Sequence, residues 1–219
     1  AMQGTGADAG DMGRWRTVMP PPGRDTGGMP VEGTGGRRTV VFYSLPSKKN
    51  LPPGAPKVAA ARDVVFFCGD SVEGIMGPQT PQVVRRLSSP QVVATILAVK
   101  FGPAANVWVV IPQRYEGGFA CYDQFFPELT LSGEPLGYRA AGFPAASHLA
   151  EVLAAAHAEQ GSRPPAAVTL VGFSKGGVVL NQLLTELAAV LRPATAERPA
   201  AGGREAGGSV IRPGDGATA

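Results

Sequence analysis

The stretch from Ala166 to Leu191, AAVTLVGFSKGGVVLNQLLTELAAVL, constrains this chain more than any other. Ala167 to Val171 is a short apolar run without alternation, the pattern of a strand buried on both faces. Val178, Leu180, Leu183, Leu184, Leu187 and Leu191 then recur at helical spacing, which predicts an amphipathic helix. Between the two lie Gly172, Ser174 and Gly176, a Gly-x-Ser-x-Gly pattern. In a chain with 30 glycines that string carries little weight by itself. Its position between a buried strand and a helix carries more, because a nucleophile elbow needs small flanking residues to lift a serine hydroxyl above a sheet edge. The alternative is a tight strand–helix junction in which the glycines serve packing alone.

At 219 residues the chain is long enough for one domain with a sizeable core. Glycine and proline concentrate at its two ends. Residues 1–38 show no apolar periodicity and are expected to be a disordered Gly/Pro-rich arm; residues 193–219 are expected to be a disordered Ala/Gly/Arg/Pro tail. The foldable part is then 39–192. The net charge of +3 is spread along the chain and forms no basic stripe, which argues against a nucleic-acid partner. Two cysteines, Cys68 and Cys121, without a Cys-x-x-Cys or Cys/His cluster exclude a disulfide framework and a structural zinc site, and point to buried thiols in a reducing, intracellular setting. No apolar run is long enough to span a membrane. No metal or cofactor is implied.

Along the chain, Thr39 to Leu45 and Ala61 to Cys68 read as strands, the first at a sheet edge because Pro46 ends it. Gly69 to Gly77 reads as a glycine-punctuated loop that aims backbone N–H groups. Its spacing fits neither dinucleotide nor P-loop phosphate patterns. Thr80-Pro81 and Ser89-Pro90 mark two helix starts, the second helix placing Val92, Val93, Ile96, Leu97 and Phe101 on one face. Asn106 to Ile111 is a third buried strand. The loop Gln113 to Pro127 that follows is dense in aromatics, and Tyr115, Tyr122 and Phe125 make a candidate substrate wall, with anchoring to the core as the alternative. Phe143 to Gln160 reads as a helix whose His148 and His157 lie on opposite sides, too far apart to share a ligand. The alternation of strands and helices implies an α/β domain: a three-layer sandwich around a mainly parallel sheet.

The segments VVFFCGD, VVATILAVKFG, NVWVV, CYDQFF and VTLVGFSKGGVVLNQLL, in that order, resemble a eukaryotic family of serine-hydrolase-like proteins typified by the human chromosome 2 open reading frame 69 mitochondrial protein. The resemblance runs from about Val40 to Leu187. It implies the N-terminal portion of an α/β-hydrolase-like fold, Ser174 as nucleophile, and a small acyl substrate that is unsettled for the family. It also implies a mitochondrial location, with the cytosol as alternative. In such a site the Lys175 amide and an amide from Gly69, Asp70 or Ser71 form the oxyanion hole.

One departure shapes the functional expectation. In an α/β-hydrolase the acid and the histidine follow the nucleophile. Here only Glu186, Glu197, Glu205 and Asp215 follow Ser174, and no histidine does. A serine without a base is a poor nucleophile, so this chain is expected to turn over little or no substrate. A non-catalytic scaffold or binding protein and a truncated gene product are the alternatives. Without further strands, the strand at Ala167 to Val171 becomes an exposed apolar edge, inviting low solubility, a protein partner or a chaperone.

Overall fold

The computed structural model describes residues 22–47, 60–141 and 144–191. The core of the fold is a five-stranded sheet. Its strands, in chain order, are β1 (Arg24–Gly33), β2 (Arg37–Pro46), β3 (Arg62–Phe67), β4 (Ala105–Val110) and, after a small two-stranded hairpin, β7 (Val168–Gly172). Their spatial order is β1-β2-β4-β3-β7. β1 with β2 and β2 with β4 are antiparallel, whereas β3 runs parallel to both β4 and β7. The sheet is therefore mixed, which corrects the expectation of a mainly parallel one. The parallel half contains the runs of apolar residues without alternation, and β4 is buried throughout.

β1 falls inside the stretch expected to be a disordered arm. Its glycines are there to make room. A Cβ on Gly27 would lie 2.6 Å from the Tyr43 hydroxyl, and one on Gly28 2.6 Å from the Phe42 ring, so both aromatics of β2 lie over glycine positions of its neighbour. Pro30 is tolerated because β1 is an edge strand, and Met29 and Val31 alternate inward to the core. Arg24 is buried. Its guanidinium donates to Ser44 Oγ at 2.9 Å, to the Ser44 carbonyl and to the Ala105 carbonyl at 2.6 Å, clamping β1 across β2 to the start of β4. Burial lowers its pKa to about 10. The strand at Thr39 to Leu45 is therefore one place in from the edge. Residues 1–21 and 192–219 lie outside the described residues.

Helices cover both faces. On one, Val64, Val107 and Val109 pack on Ala94 and Ala98 of α3 (Pro90–Phe101). On the other, Val65, Phe67, Trp108 and Val110 meet α4 (Ala145–Glu159) and α5 (Gly176–Leu191) through Leu149, Val152, Ala156, Val179 and Leu183. Each fully buried valine, leucine or phenylalanine among them contributes about 1.5–3 kcal/mol. Ser89 caps α3 by accepting from the Val92 amide, as its Ser-Pro start predicts. The buried stripe of α3 is Ala94, Thr95 and Ala98, with Val93, Leu97 and Phe101 beside it; Ile96 is exposed. Two short helices, α1 (Val72–Met76) and α2 (Gln82–Leu87), occupy the connection before α3, so the segment read as a loop from Gly69 turns helical after Ser71. The aromatic loop likewise holds the hairpin β5 (Arg114–Glu116) and β6 (Phe119–Cys121). Both cysteines are free and buried, and burial pushes the Cys68 thiol up to about 12.

β7 lies at the sheet edge among the described residues, with Val168 half exposed, so it is not buried on both faces. The face of α5 turned inward is Gly176, Val179, Gln182, Leu183 and Glu186. Leu184, Leu187 and Leu191 point outward, contrary to the apolar stripe read from spacing.

Candidate active site

The turn between β7 and α5 places Ser174 at φ 50°, the one non-glycine residue with positive φ among the described residues. The left-handed region costs an L-residue about 1–2 kcal/mol, and close packing on both sides enforces it here. A Cβ on Gly172 would lie 2.6 Å from the Gly176 carbonyl oxygen, and one on Gly176 would lie 2.1 Å from the Phe67 carbonyl oxygen. Neither backbone atom has room to yield. The Phe173 amide donates to that same Phe67 carbonyl at 3.2 Å, and the Gly176 and Gly177 amides close the turn on Phe173 and Ser174, each at 2.8 Å. The turn is thereby fixed to the C-terminal end of β3.

The loop leaving β3 touches the serine directly. A Cβ on Gly69 would lie 2.9 Å from both the Ser174 Cβ and the Phe173 carbonyl oxygen, so only glycine allows the approach. Asp70 follows. Its Oδ1 accepts from the Ala120 amide of β6 at 2.9 Å, and its Oδ2 accepts from the Ser174 hydroxyl at 2.9 Å. Ser71 caps α1 with its Oγ, accepting from the Gly74 amide at 3.0 Å, and its own amide donates to the Gly118 carbonyl at 2.7 Å. That commitment removes Ser71 from the expected oxyanion donors. The amides of Gly69, Asp70 and Lys175 have no backbone carbonyl partner among the described residues. Gly74 of α1 and Gly118 of the β5–β6 turn meet backbone to backbone, a Cβ on the first lying 2.5 Å from the Cα of the second.

Lys175 points elsewhere. Its Nζ pairs with Glu134 and sits 5.8 Å from the centre of the Phe119 ring, so its side chain is held away from Ser174. The aromatics expected to form one wall divide. Tyr122 and Phe125 are buried in the core against Phe67, and the Tyr122 hydroxyl donates to the Cys68 carbonyl at 2.7 Å, so they anchor the loop to the core. Tyr115 borders a cavity of about 350 Å³ together with Phe66, Asp70, Leu87, Val93 and Phe173. Partial burial, with Cys68 and Asp70 near by, pushes the Tyr115 phenol up to about 12, although the side chain as a whole is exposed. Ser174 does not itself line this cavity; its hydrogen-bond partner Asp70 and its chain neighbour Phe173 do.

A larger cavity, about 870 Å³, lies at the other end of the sheet, where Ser162 and the following turn precede β7. Its wall includes Ser47 and Ala60, which flank positions 48–59, outside the described residues. Ligands of open α/β sheets bind beyond the carboxyl ends of the strands, where Asp70 and Ser174 are. The smaller cavity is thus the one that matches the chemistry.

Neither histidine reaches Ser174. His148 bonds Thr39 Oγ1 through Nε2 at 3.0 Å. His157 is the centre of a chain at the amino ends of the parallel strands: Ser162 Oγ lies 2.7 Å from Nδ1 and Asp63 Oδ2 lies 2.9 Å from Nε2, while Asp63 Oδ1 accepts from Asn106 at 2.9 Å and Trp108 at 3.0 Å. This network ties the end of α4 to β3 and β4. Glu186 is also committed: its two oxygens accept from the Ala145 and Ala146 amides at 2.9 and 2.7 Å, capping α4. Sequence reasoning foresaw Asp70 only as an amide donor and missed its carboxylate.

No family model matches this chain. A Danio rerio protein, the mitochondrial protein C2orf69 homolog, is 34% identical over 144 residues. The match takes in 57% of this chain and 41% of that protein, so the chain spans about two-fifths of the relative's length. Among solved structures, brefeldin A esterase, a bacterial homologue of human hormone-sensitive lipase, is similar at 15% identity with a TM-score of 0.31. That similarity covers 80% of this chain and 37% of the esterase.

Proposed function

We propose that Ser174 is the nucleophile of an acyl-transfer site, at the turn of a nucleophile elbow in the N-terminal portion of an α/β-hydrolase-like, three-layer fold. The observation that carries this reading is the serine's conformation. A polar side chain is held at positive φ at the carboxyl end of a strand by glycines on both sides, and its hydroxyl is hydrogen-bonded to a carboxylate. The Oγ attacks a carbonyl carbon, and the Lys175 amide together with that of Gly69 or Asp70 receives the developing oxyanion. Apolar Phe66, Leu87, Val93 and Phe173 offer contact to an apolar part of an ester, while Tyr115, Glu73 and Arg85 on the same lining offer polar groups. By likeness to its mitochondrial relative, the protein acts in the mitochondrion.

An alkyl fluorophosphonate, with the labelled peptide identified by mass spectrometry, tests the reading. Labelling at Ser174 that disappears in Ser174→Ala is expected. An unmodified Ser174 after prolonged exposure, in protein that melts cooperatively, would sink it. The second reading, a non-catalytic binding protein, is favoured by the engagement of both histidines away from the serine. It expects the same partners to be captured by wild type and Ser174→Ala while no label is taken up.

A further inference from the structure

We propose that the Asp70 carboxylate is the proton acceptor of Ser174 in this chain, a role that rests on Ser174 being the nucleophile. Three features place it there. Oδ2 is the hydrogen-bond acceptor of the Ser174 hydroxyl at 2.9 Å, so the proton to be removed already points at it. Oδ1 is anchored by the Ala120 amide at 2.9 Å, which fixes the carboxylate plane and leaves Oδ2 for the serine. Among the described residues Lys175 pairs with Glu134 and Arg85 with Glu73, and neither forms an ion pair with Asp70. Asp70 also borders the cavity in which a substrate would lie.

The step balances without a co-reactant. The Ser174 O–H bond breaks as the Oγ–carbon bond forms, the proton passes to Asp70 Oδ2, and the carbonyl π pair moves onto oxygen. The negative charge leaves the carboxylate as it appears on the oxyanion. A carboxylate that would repel an oxyanion thus becomes a neutral acid at the moment the oxyanion forms. That acid then returns its proton to the departing alcohol oxygen. The acceptor is supplied by a residue 104 positions earlier in the chain, on the loop that leaves β3.

The rate of fluorophosphonate labelling at Ser174 decides it, because the attack on phosphorus must lose the same proton. Asp70→Asn keeps the side-chain shape and, with its oxygen toward Ala120, turns an amide donor on Ser174 where an acceptor stood. Labelling is expected to slow by at least tenfold, and by about a hundredfold if the acceptor has the usual weight of a general base. Labelling of Asp70→Asn within tenfold of wild type overturns the assignment and leaves Ser174 as nucleophile. A wild-type Ser174 that takes no label overturns both. If Asp70→Asn melts below the assay temperature, both proteins are labelled at a lower temperature at which both are folded, and the same tenfold criterion decides.

Discussion

His148 shows what a single residue contributes when its partners are only half supplied. Its ring is fully buried, bonded through Nε2 to Thr39 and stacked edge-on to Phe125 with centroids 5.0 Å apart, while Nδ1 has no hydrogen-bond partner among the described residues. Burial, reinforced by Arg37 and opposed by Glu151, lowers its pKa to about 4. The folded-state value lies below the free value of about 6.5, so the fold favours neutral imidazole. That contribution is complete above pH ~6.5 and is lost as pH falls toward and through 4. The melting temperature of wild type should therefore fall between pH 6.5 and 4 more steeply than that of His148→Gln; parallel slopes would refute the assignment. At this scale the sequence was readable where chemistry is local. Gly172, Ser174 and Gly176 lie within one turn, and their spacing together with the strand before and the helix after them marked that turn. The Asp70 carboxylate on Ser174 joins residues 104 apart, and no periodicity reports such a contact.

Elements were legible where their own pattern set them and illegible where a neighbour did. β3, β4, α3 and α4 formed close to the expected bounds because apolar runs and Ser-Pro starts specify them locally. β1 did not, because its glycines answer to the rings of Phe42 and Tyr43 on another strand. The inward face of α5 was misread for the same reason. Gln182 and Glu186 are buried there because α4 begins at a Pro144 that offers no side-chain cap, and Glu186 supplies the acceptors that the Ala145 and Ala146 amides need. Gln182 completes the joint by donating to Glu186 and to the Arg139 carbonyl, each at 2.6 Å. Removing the carboxylate orphans two helix-start amides, and Glu186→Ala should cost about 2–3 kcal/mol. Urea unfolding measures this; a loss below about 0.5 kcal/mol would show that water caps α4 equally well.

For the whole molecule, the consequence lies at the edge. Among the described residues β7 is an edge strand, beside an α5 face carrying exposed Leu184, Leu187, Val190 and Leu191. Paired with half-exposed Val168, this is the surface that natural sheets cover or charge. Sedimentation velocity of the purified chain should show association rising with concentration, reduced by Val168→Lys. A wild-type chain that stays monomeric at high concentration would count against an open edge. The mixed sheet is also a whole-molecule property: strand directions depend on connections across the fold, which is why alternating strands and helices pointed to parallel pairing throughout.

The backbone meeting of Gly74 with Gly118 divides the site into parts that are open to redesign and parts that are not. Because α1 and the β5–β6 turn touch through missing side chains, with the Ser71 amide bound to the Gly118 carbonyl, a saturation library at these glycines would return little besides the parent. Variety in Phe173 and Leu87, both exposed residues that border the cavity, is where altered substrate preference should be sought.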